Sequence, residues 1–271
     1  MRASVSSFPE SQCEQSCEPT TSGPESGGAG GTKVVRGLLH SELDADEIHL
    51  WYACLDQSAA DFRSLLSPDE TIRAQRFHLE RDRQRFIVRR GLLRTMLSAY
   101  LHADPGQLQF CCGRNGKPIV TDESGRKISF NLSHAEGLAL YGFTRGREIG
   151  VDIERVQDVP NMDQIVERFF SPTEDAALRT FAFSSRRRAF FVCWTRKEAL
   201  TKATGDGLTA CWQAFDVSPF PDEPAGPPRI CVDSTAAGWA VRDLQAPLGF
   251  AAAFAVQGDD TRNVLRAWPN L

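Results

Sequence analysis

Two acidic residues alternate with apolar ones at residues 150–154, which read Gly-Val-Asp-Ile-Glu. The alternation predicts a β-strand with Asp152 and Glu154 on one face and the apolar side chains on the other. Two carboxylates on one face repel each other, and a cation or solvent relieves that repulsion. The stretch therefore suggests a divalent-metal site, although Asp-x-Glu on a strand is also typical of a solvated sheet edge.

A second charged stretch, residues 194–202, is expected to form a helix. Glu198 and Lys202 lie four residues apart and would share one helix face. Glu198 offers a third oxygen ligand for the metal, and Lys202 places a cation beside it. Taken alone, the same two residues could form a surface ion pair worth only about 0.3–0.5 kcal/mol.

Composition narrows the class of protein. The 271 residues carry a net charge of −4, which gives no general reason to expect nucleic acid as a partner. The eight cysteines form no Cys-x-x-Cys pair and the five histidines are scattered, a distribution that does not favour zinc. No apolar run reaches membrane-spanning length and no signal-peptide pattern is present, so we expect a cytoplasmic protein without a membrane partner.

The sequence predicts two similar halves. Ser67 and Glu70 begin a helix with a capping box, with proline at the first helical position, and Ser171 and Glu174 repeat this arrangement 104 residues later. Seven identities in a 22-residue window at that spacing indicate an internal duplication. We therefore expect an α+β fold, with two pseudo-duplicated α/β halves related by a pseudo-twofold axis. A cleft between such halves is the default ligand site.

The expected boundaries follow from composition and from the capping residues. Residues 1–36 are rich in Ser, Gly, Pro and Glu, and we expect a disordered tail. The N-terminal half is placed at residues 37–145, the C-terminal half with the metal site at 146–258, and a C-terminal tail at 259–271. The first long helical stretch is expected to break near Glu80 and to end near Leu101.

Apolar periodicity predicts what faces the core and where the strands lie. A stripe of residues seven apart along the first helical stretch is expected to be buried: Ile72, Leu79, Phe86, Leu93 and Tyr100. Strands are predicted at residues 48–54, 127–131, 138–143, 149–153, 214–217, 229–232, 239–243 and 249–256.

Five motifs occur in a fixed order: Gly-Lys-Pro at 116–118, Asn-Leu-Ser-His at 131–134, Gly-Val-Asp-Ile-Glu at 150–154, Arg-Phe-Phe-Ser-Pro-Thr-Glu at 168–174 and Trp-Thr-Arg-Lys-Glu-Ala-Leu-Thr-Lys at 194–202. As an ordered set they resemble the 4′-phosphopantetheinyl transferases, over roughly residues 45–256. The length and the duplication are similar to the two-half, Sfp-type members rather than to the short trimeric acyl-carrier-protein synthases, and they imply a monomer.

The resemblance implies a holo-[acyl-carrier-protein] synthase type reaction. Members transfer phosphopantetheine from coenzyme A to a serine hydroxyl of an apo carrier protein (acyl, peptidyl or aryl, as in polyketide and nonribosomal-peptide biosynthesis) and release 3′,5′-ADP. Asp152, Glu154 and Glu198 match the family's magnesium ligands, whose oxygen atoms suit that ion. Lys202 matches a family lysine that stabilises or protonates the departing ADP. Glu198, with or without Glu174, is placed to activate the serine hydroxyl, although capping alone also explains Glu174.

The family's coenzyme A contacts fall on seven residues of this chain: Arg73, Arg85, Lys117, Pro118, Ser133, His134 and Lys202. Glu70 departs from the family pattern, which can carry a lysine there, and the capping box accounts for the glutamate. The acidic carrier protein would dock on a surface that mixes apolar and basic residues. Phe169, Phe170 and residues 183–188 are candidates for that surface.

Two other functions fit part of the sequence. A non-catalytic module that binds coenzyme A or a carrier protein could keep the same fold. A metal-dependent phosphohydrolase could use the three acidic residues to activate water. The presence of all three acidic residues together with Lys202 favours the transferase.

Overall fold

The computed structural model describes residues 43–112, 117–121, 128–205, 212–220, 229–230, 238–258 and 262–268; the predicted N-terminal tail lies outside them. The described helices are α1 Ala60–Arg63, α2 Pro68–Gln75, α3 Glu80–Leu101, α4 Met162–Phe169, α5 Pro172–Thr180 and α6 Phe183–Thr204. The described strands are β1 Glu47–Cys54, β2 Gln109–Cys112, β3 Pro118–Thr121, β4 Ile128–Ala135, β5 Leu138–Arg145, β6 Ile149–Arg155, β7 Phe215–Asp216, β8 Arg229–Ile230, β9 Trp239–Asp243, β10 Phe250–Gln257 and β11 Arg262–Ala267.

These elements belong to two compact units, and both contain helices and strands, as the predicted α+β class requires. The first unit contains residues 55–126 and the second contains residues 43–54 and 127–271. The boundaries between these units differ from those of the predicted halves. Strand β1 pairs with β5, so residues 43–54 belong to the second unit although they precede residues 55–126 of the first one in the sequence. The pseudo-twofold relation stays a prediction.

The second unit contains two main sheets. One has four strands in the order β11-β1-β5-β4, and the other has three in the order β6-β10-β9. Strand β11 runs parallel to β1 and lies within the stretch predicted as a C-terminal tail. The apolar face of β6 (Ile149, Val151 and Ile153) is fully buried, as its alternation predicted.

In the first unit, helices α1 and α2 pack against α3, and β2 pairs with β3 in a short hairpin. The predicted break in the helical stretch is confirmed, since α2 ends at Gln75 and α3 begins at Glu80. The predicted apolar stripe is wrong at its start, because it was extended across this break. Ile72 is 51% exposed and Leu79 is 59% exposed, whereas Phe86, Leu93 and Tyr100 are buried.

Both predicted capping boxes form. The Ser67 and Ser171 hydroxyls accept the backbone N–H of Glu70 and Glu174, whose carboxylates accept the serine N–H in return. Each box is followed by a 22-residue helix, α3 or α6, which ends at a residue in the left-handed conformation, His102 or Gly205. The boxes are 104 residues apart and the helix ends 103, so the repeat loses one residue between them. No described helix combines the length and apolar character that a membrane crossing requires.

Candidate active site

Helix α6 packs directly against strand β6 because the strand has a glycine at the contact. A Cβ atom on Gly150 would lie 2.1 Å from the carbonyl oxygen of Ala199 and 2.4 Å from the backbone nitrogen of Ala203. Real Cβ atoms do not approach other heavy atoms this closely, so the position requires glycine. The close approach brings the acidic face of β6 to Glu198 and Lys202 on α6.

Asp152 is the centre of a buried hydrogen-bonded cluster. Its Oδ1 accepts a hydrogen bond from Lys202 Nζ at 2.7 Å and another from Ser133 Oγ at 2.8 Å. Lys202 Nζ also donates to Ser133 Oγ at 3.1 Å. Three residues that the sequence assigned separately, to the metal, the leaving group and coenzyme A, therefore lie together.

Asn131 links strands β4 and β6, which belong to different sheets. Its side-chain Oδ1 accepts the backbone N–H of Val151 at 2.9 Å, and both residues are buried. Asn131 and Ser133 are two residues apart on β4 and therefore share a face. One positions the β6 backbone and the other contacts the neighbouring Asp152. No role for Asn131 is predicted from the sequence, although its spacing of two residues from Ser133 in the same motif was a usable signal.

The site concentrates negative charge in a buried place. Burial and the charges of Asp152 and Glu198 raise the pKa of Glu154 to about 8, against the opposing effect of Lys202. Burial and Asp152 raise the pKa of Glu198 to about 7, again against Lys202. Burial lowers the pKa of Lys202, but Asp152 and Glu198 outweigh it and raise that pKa above its ordinary value. Three carboxylates with one ammonium leave an excess of negative charge that a divalent cation would neutralise.

Two carboxylate oxygens of the site fit a cation. Asp152 Oδ2 and Glu198 Oε1 are buried and have no hydrogen-bond partner in the described residues. Buried polar atoms are nearly always paired, so two such oxygens in one acidic cluster point to a bound group. Within the described ranges, no three His, Cys, Asp or Glu side chains are arranged to hold a metal ion by themselves, and this includes the predicted ligands Asp152, Glu154 and Glu198. Magnesium does not need one, since proteins commonly hold it by one or two carboxylates together with substrate phosphates and water.

Comparison with known proteins identifies the family. Residues 148–255 match the model of the 4′-phosphopantetheinyl transferase superfamily, and residues 50–141 match that of the 4′-phosphopantetheinyl transferase N-terminal region. The chain is 39% identical over 222 residues to the 4′-phosphopantetheinyl transferase HetI of a Nostoc species, covering 80% of this chain and 90% of HetI. The chain belongs to the 4′-phosphopantetheinyl transferase superfamily. The resemblance read from the motifs is confirmed.

One further relative and one solved structure match smaller parts of this transferase-family chain. It is 30% identical to the 4′-phosphopantetheinyl transferase Sfp of Bacillus subtilis over 156 residues, which are 58% of this chain and 67% of Sfp. The crystal structure of the holo-[acyl-carrier-protein] synthase of Thermotoga maritima is 25% identical, with a TM-score of 0.32 over 42% of this chain and 64% of that one.

Glu174, the other predicted catalytic acid, is 1% exposed at the start of α5. Its Oε1 accepts the backbone N–H of Val217 at 2.7 Å, and its Oε2 accepts the N–H of Ser171 at 2.9 Å and pairs with Lys197 Nζ at 2.9 Å. Burial raises the pKa of Glu174, while Lys197 acts against that change. Both oxygens have structural partners, so the capping alternative explains this glutamate, and its catalytic role stays a prediction.

The predicted coenzyme A contacts are divided between the units. His134 is exposed on β4 beside Ser133 in the second unit. In the first unit, the Arg85 guanidinium makes two hydrogen bonds to the Asp56 carboxylate, at 2.6 and 2.7 Å. The guanidinium carbon of Arg73 lies 5.7 Å from the centre of the Phe86 ring. Lys117 is half-buried and Pro118 begins β3.

The candidates for carrier docking differ in exposure. Phe170 is buried, and half-buried Phe169 packs against Trp194 and Trp212, so both serve mainly the core. Phe183, at the start of α6, is 94% exposed. The predicted stretch 183–188 therefore offers an apolar surface residue next to arginines.

Proposed function

We propose that this chain transfers the 4′-phosphopantetheine group from coenzyme A to a serine hydroxyl of an apo carrier protein and releases 3′,5′-ADP, with magnesium as the metal cofactor. The observation that carries this proposal is the cluster of Asp152, Glu198 and Lys202, in which two buried carboxylate oxygens have no partner among the residues that the structure describes. Family membership supplies the reaction class.

Asp152, Glu154 and Glu198 would hold the magnesium ion. Their oxygen atoms are the hard ligands that magnesium prefers, and the pyrophosphate of coenzyme A would complete the shell. The bound ion supplies charge neutralisation for the pyrophosphate and for the phosphoryl group in transit. Burial of the cluster strengthens this attraction, because charges interact more strongly away from water.

Glu198 and Lys202 act on opposite ends of the displacement. The carrier serine oxygen forms a bond to the phosphorus next to pantetheine while the bond from that phosphorus to 3′,5′-ADP breaks. Glu198 accepts the serine proton, directly or through one water molecule. The Lys202 ammonium stabilises the negative charge that develops on the leaving ADP.

Coenzyme A would be contacted by basic and polar residues. Arg73, Arg85, Lys117 and His134 would contact its phosphates, Ser133 would offer its hydroxyl, and Pro118 would lie against the cofactor. The bidentate contact with Asp56 holds the Arg85 guanidinium in one orientation. We propose that the protein works as a cytoplasmic monomer and that its acceptor is an acyl, peptidyl or aryl carrier protein.

The decisive experiment is intact-mass analysis of an apo acyl carrier protein after incubation with this protein, coenzyme A and magnesium. The expected result is a gain of one phosphopantetheine group that EDTA prevents and that Asp152→Ala abolishes without loss of the fold. If fatty-acid, polyketide and peptide-synthesis carriers all remain unmodified while coenzyme A binds, the protein is a binding module instead. Release of 3′,5′-ADP from coenzyme A without any carrier would indicate a phosphohydrolase.

A further inference from the structure

A buried ion pair connects helix α6 to three other segments of the second unit. Lys197 is 0% exposed and pairs with Glu174 in the capping box of α5. Its ammonium also donates to the carbonyl oxygens of Trp212 at 2.6 Å and Phe215 at 2.8 Å. The ammonium lies 4.3 Å from the centre of the Phe215 ring.

The first unit contains the same arrangement with arginine in place of lysine. Arg94 Nε donates to Oε2 of Glu70 in the capping box of α2 at 2.7 Å. Its Nη1 donates to the carbonyl oxygens of Pro105 at 2.8 Å and Leu108 at 3.0 Å. The guanidinium carbon lies 5.0 Å from the centre of the Phe110 ring.

The two ion pairs correspond at the oxygen that binds the cation and differ at the other oxygen: Glu70 Oε1 accepts from Arg90, whereas Glu174 Oε1 accepts the backbone N–H of Val217. Arg94 and Lys197 are 103 residues apart, as are the left-handed residues that end the two long helices. In each unit the same carboxylate oxygen, Oε2, accepts both the serine N–H of the capping box and the buried cation. In each unit the cation also binds the first carbonyl of a short 3₁₀ helix, Pro105–Gln107 or Trp212–Ala214.

Near the buried cation, the two long helices α3 and α6 carry different side chains. At the same spacing of 103 residues, Glu198 corresponds to Thr95 and Lys202 corresponds to Ala99. The Thr95 hydroxyl donates to the carbonyl oxygen of Gly91 inside its own helix. The buried ion pair is thus present in a unit whose long helix lacks both the acid and the lysine of the candidate active site, and it does not depend on catalysis.

We propose that Glu174 and Lys197 are positioning residues: their ion pair fixes the rotation of α6 and so aims Glu198 and Lys202, while Glu174 takes no part in proton transfer. This inference rests on the proposed transferase function. Neighbouring residues on a helix project about 100° apart, so holding Lys197 on one side determines where Glu198 points on another. Gly150 allows β6 to lie close to the helix, and the ion pair of Lys197 fixes the rotation of the helix about its axis.

A double-mutant cycle on kcat and Tm tests this proposal, with Glu174→Gln, Lys197→Met and the combination of both. Each single variant leaves a buried partner unpaired, so we expect Tm to fall by roughly 10 °C. We expect kcat to fall by about tenfold because Glu198 and Lys202 are less well positioned. The pH profile of kcat should stay unchanged. The double variant removes both charges and is expected to lose no more than Glu174→Gln alone. Glu70→Gln and Arg94→Met give the corresponding thermal cycle in the first unit, where Arg90 also pairs with Glu70 and the double variant is therefore expected to recover less stability.

If Glu174 were instead the general base, its loss would typically lower kcat by roughly 10²–10⁴-fold. A second substitution at Lys197 would not restore kcat. A loss of that size in both Glu174→Gln and the double variant, with wild-type Tm, would overturn the proposal. If Glu174→Gln does not fold, the double variant carries the test, since it buries no unpaired charge. Wild-type protein without transfer activity would refute the proposed function instead, and the thermal cycles would still show whether the ion pairs couple.

Discussion

The side-chain oxygen of Asn131 accepts the backbone N–H of Val151 at 2.9 Å and so joins the edge strands of two sheets. The next residue along β6 is Asp152, whose carboxylate meets Ser133 from the strand of Asn131. This side-chain hydrogen bond therefore helps to position the central acid of the site against the serine and the lysine.

Asn131→Ala is expected to lower both stability and transfer activity. The variant leaves a buried backbone N–H without a partner, which costs about 1–3 kcal/mol. It also lets β4 and β6 shift against each other, so kcat should fall by roughly tenfold or more. Thermal unfolding and the carrier-modification assay measure the two effects. Ser129→Ala on the same strand is the matched control, and equal effects of both substitutions would contradict the positioning role of Asn131.

Gly150→Ala is expected to be more damaging than an ordinary glycine substitution. The new methyl group would lie 2.1 Å from the carbonyl oxygen of Ala199, and neither backbone can move away freely. Forcing extra volume into a packed contact costs about 1–3 kcal/mol or more, and activity should be lost as Glu198 moves away from Asp152. Soluble yield, Tm and transfer rate report the outcome.

The matched control for Gly150→Ala is Gly238→Ala. Gly238 has a positive φ of 85° and no atom within 4 Å of an added Cβ, so this substitution strains the backbone without a clash. Its expected cost is about 1–2 kcal/mol with activity retained. A Gly150→Ala protein as stable and active as this control would show that α6 does not need its close contact with β6.

The sequence predicted the local features of this site well and its long-range contacts poorly. Capping boxes and the alternation of β6 depend on residues within a few positions of each other, and both are confirmed. The contact of Asn131 with Val151 spans 20 residues, and the pairing of β1 with β11 joins Glu47 to Arg262. No periodicity within one segment encodes such partners, because the pairing is set by how the sheets pack. Similarly, the helix motif identified Glu198 but not the buried role of Lys197.

Stability of the metal-free protein should decrease as pH rises from about 5 to about 8. The pKa values of Glu154 and Glu198 are about 8 and about 7 in the folded protein, and both are near 4.5 when unfolded. Between these values the folded state holds protons that the unfolded state has released, so raising the pH favours unfolding. Thermal unfolding in EDTA across this range measures the effect, with a fall of several degrees in Tm expected.

Glu154→Gln is the control for this pH dependence. The amide cannot ionise, so the decrease in Tm between pH 5 and pH 8 should become smaller in that variant. At pH 8 the variant should be at least as stable as the wild type in EDTA. An unchanged pH dependence in Glu154→Gln would show that another group is responsible.

Lys202→Met should separate catalysis from coenzyme A binding. Lys202 contacts Asp152 and Ser133, so its charge lies in the acidic cluster where the leaving group would develop negative charge. Removing one preorganised charge from such a position typically lowers kcat by about 10²–10³-fold. Lys117→Met removes a predicted phosphate contact in the first unit and should mainly raise KM for coenzyme A. Steady-state kinetics with varied coenzyme A distinguish the two, and a Lys202→Met enzyme with normal kcat and raised KM would place Lys202 in cofactor binding alone.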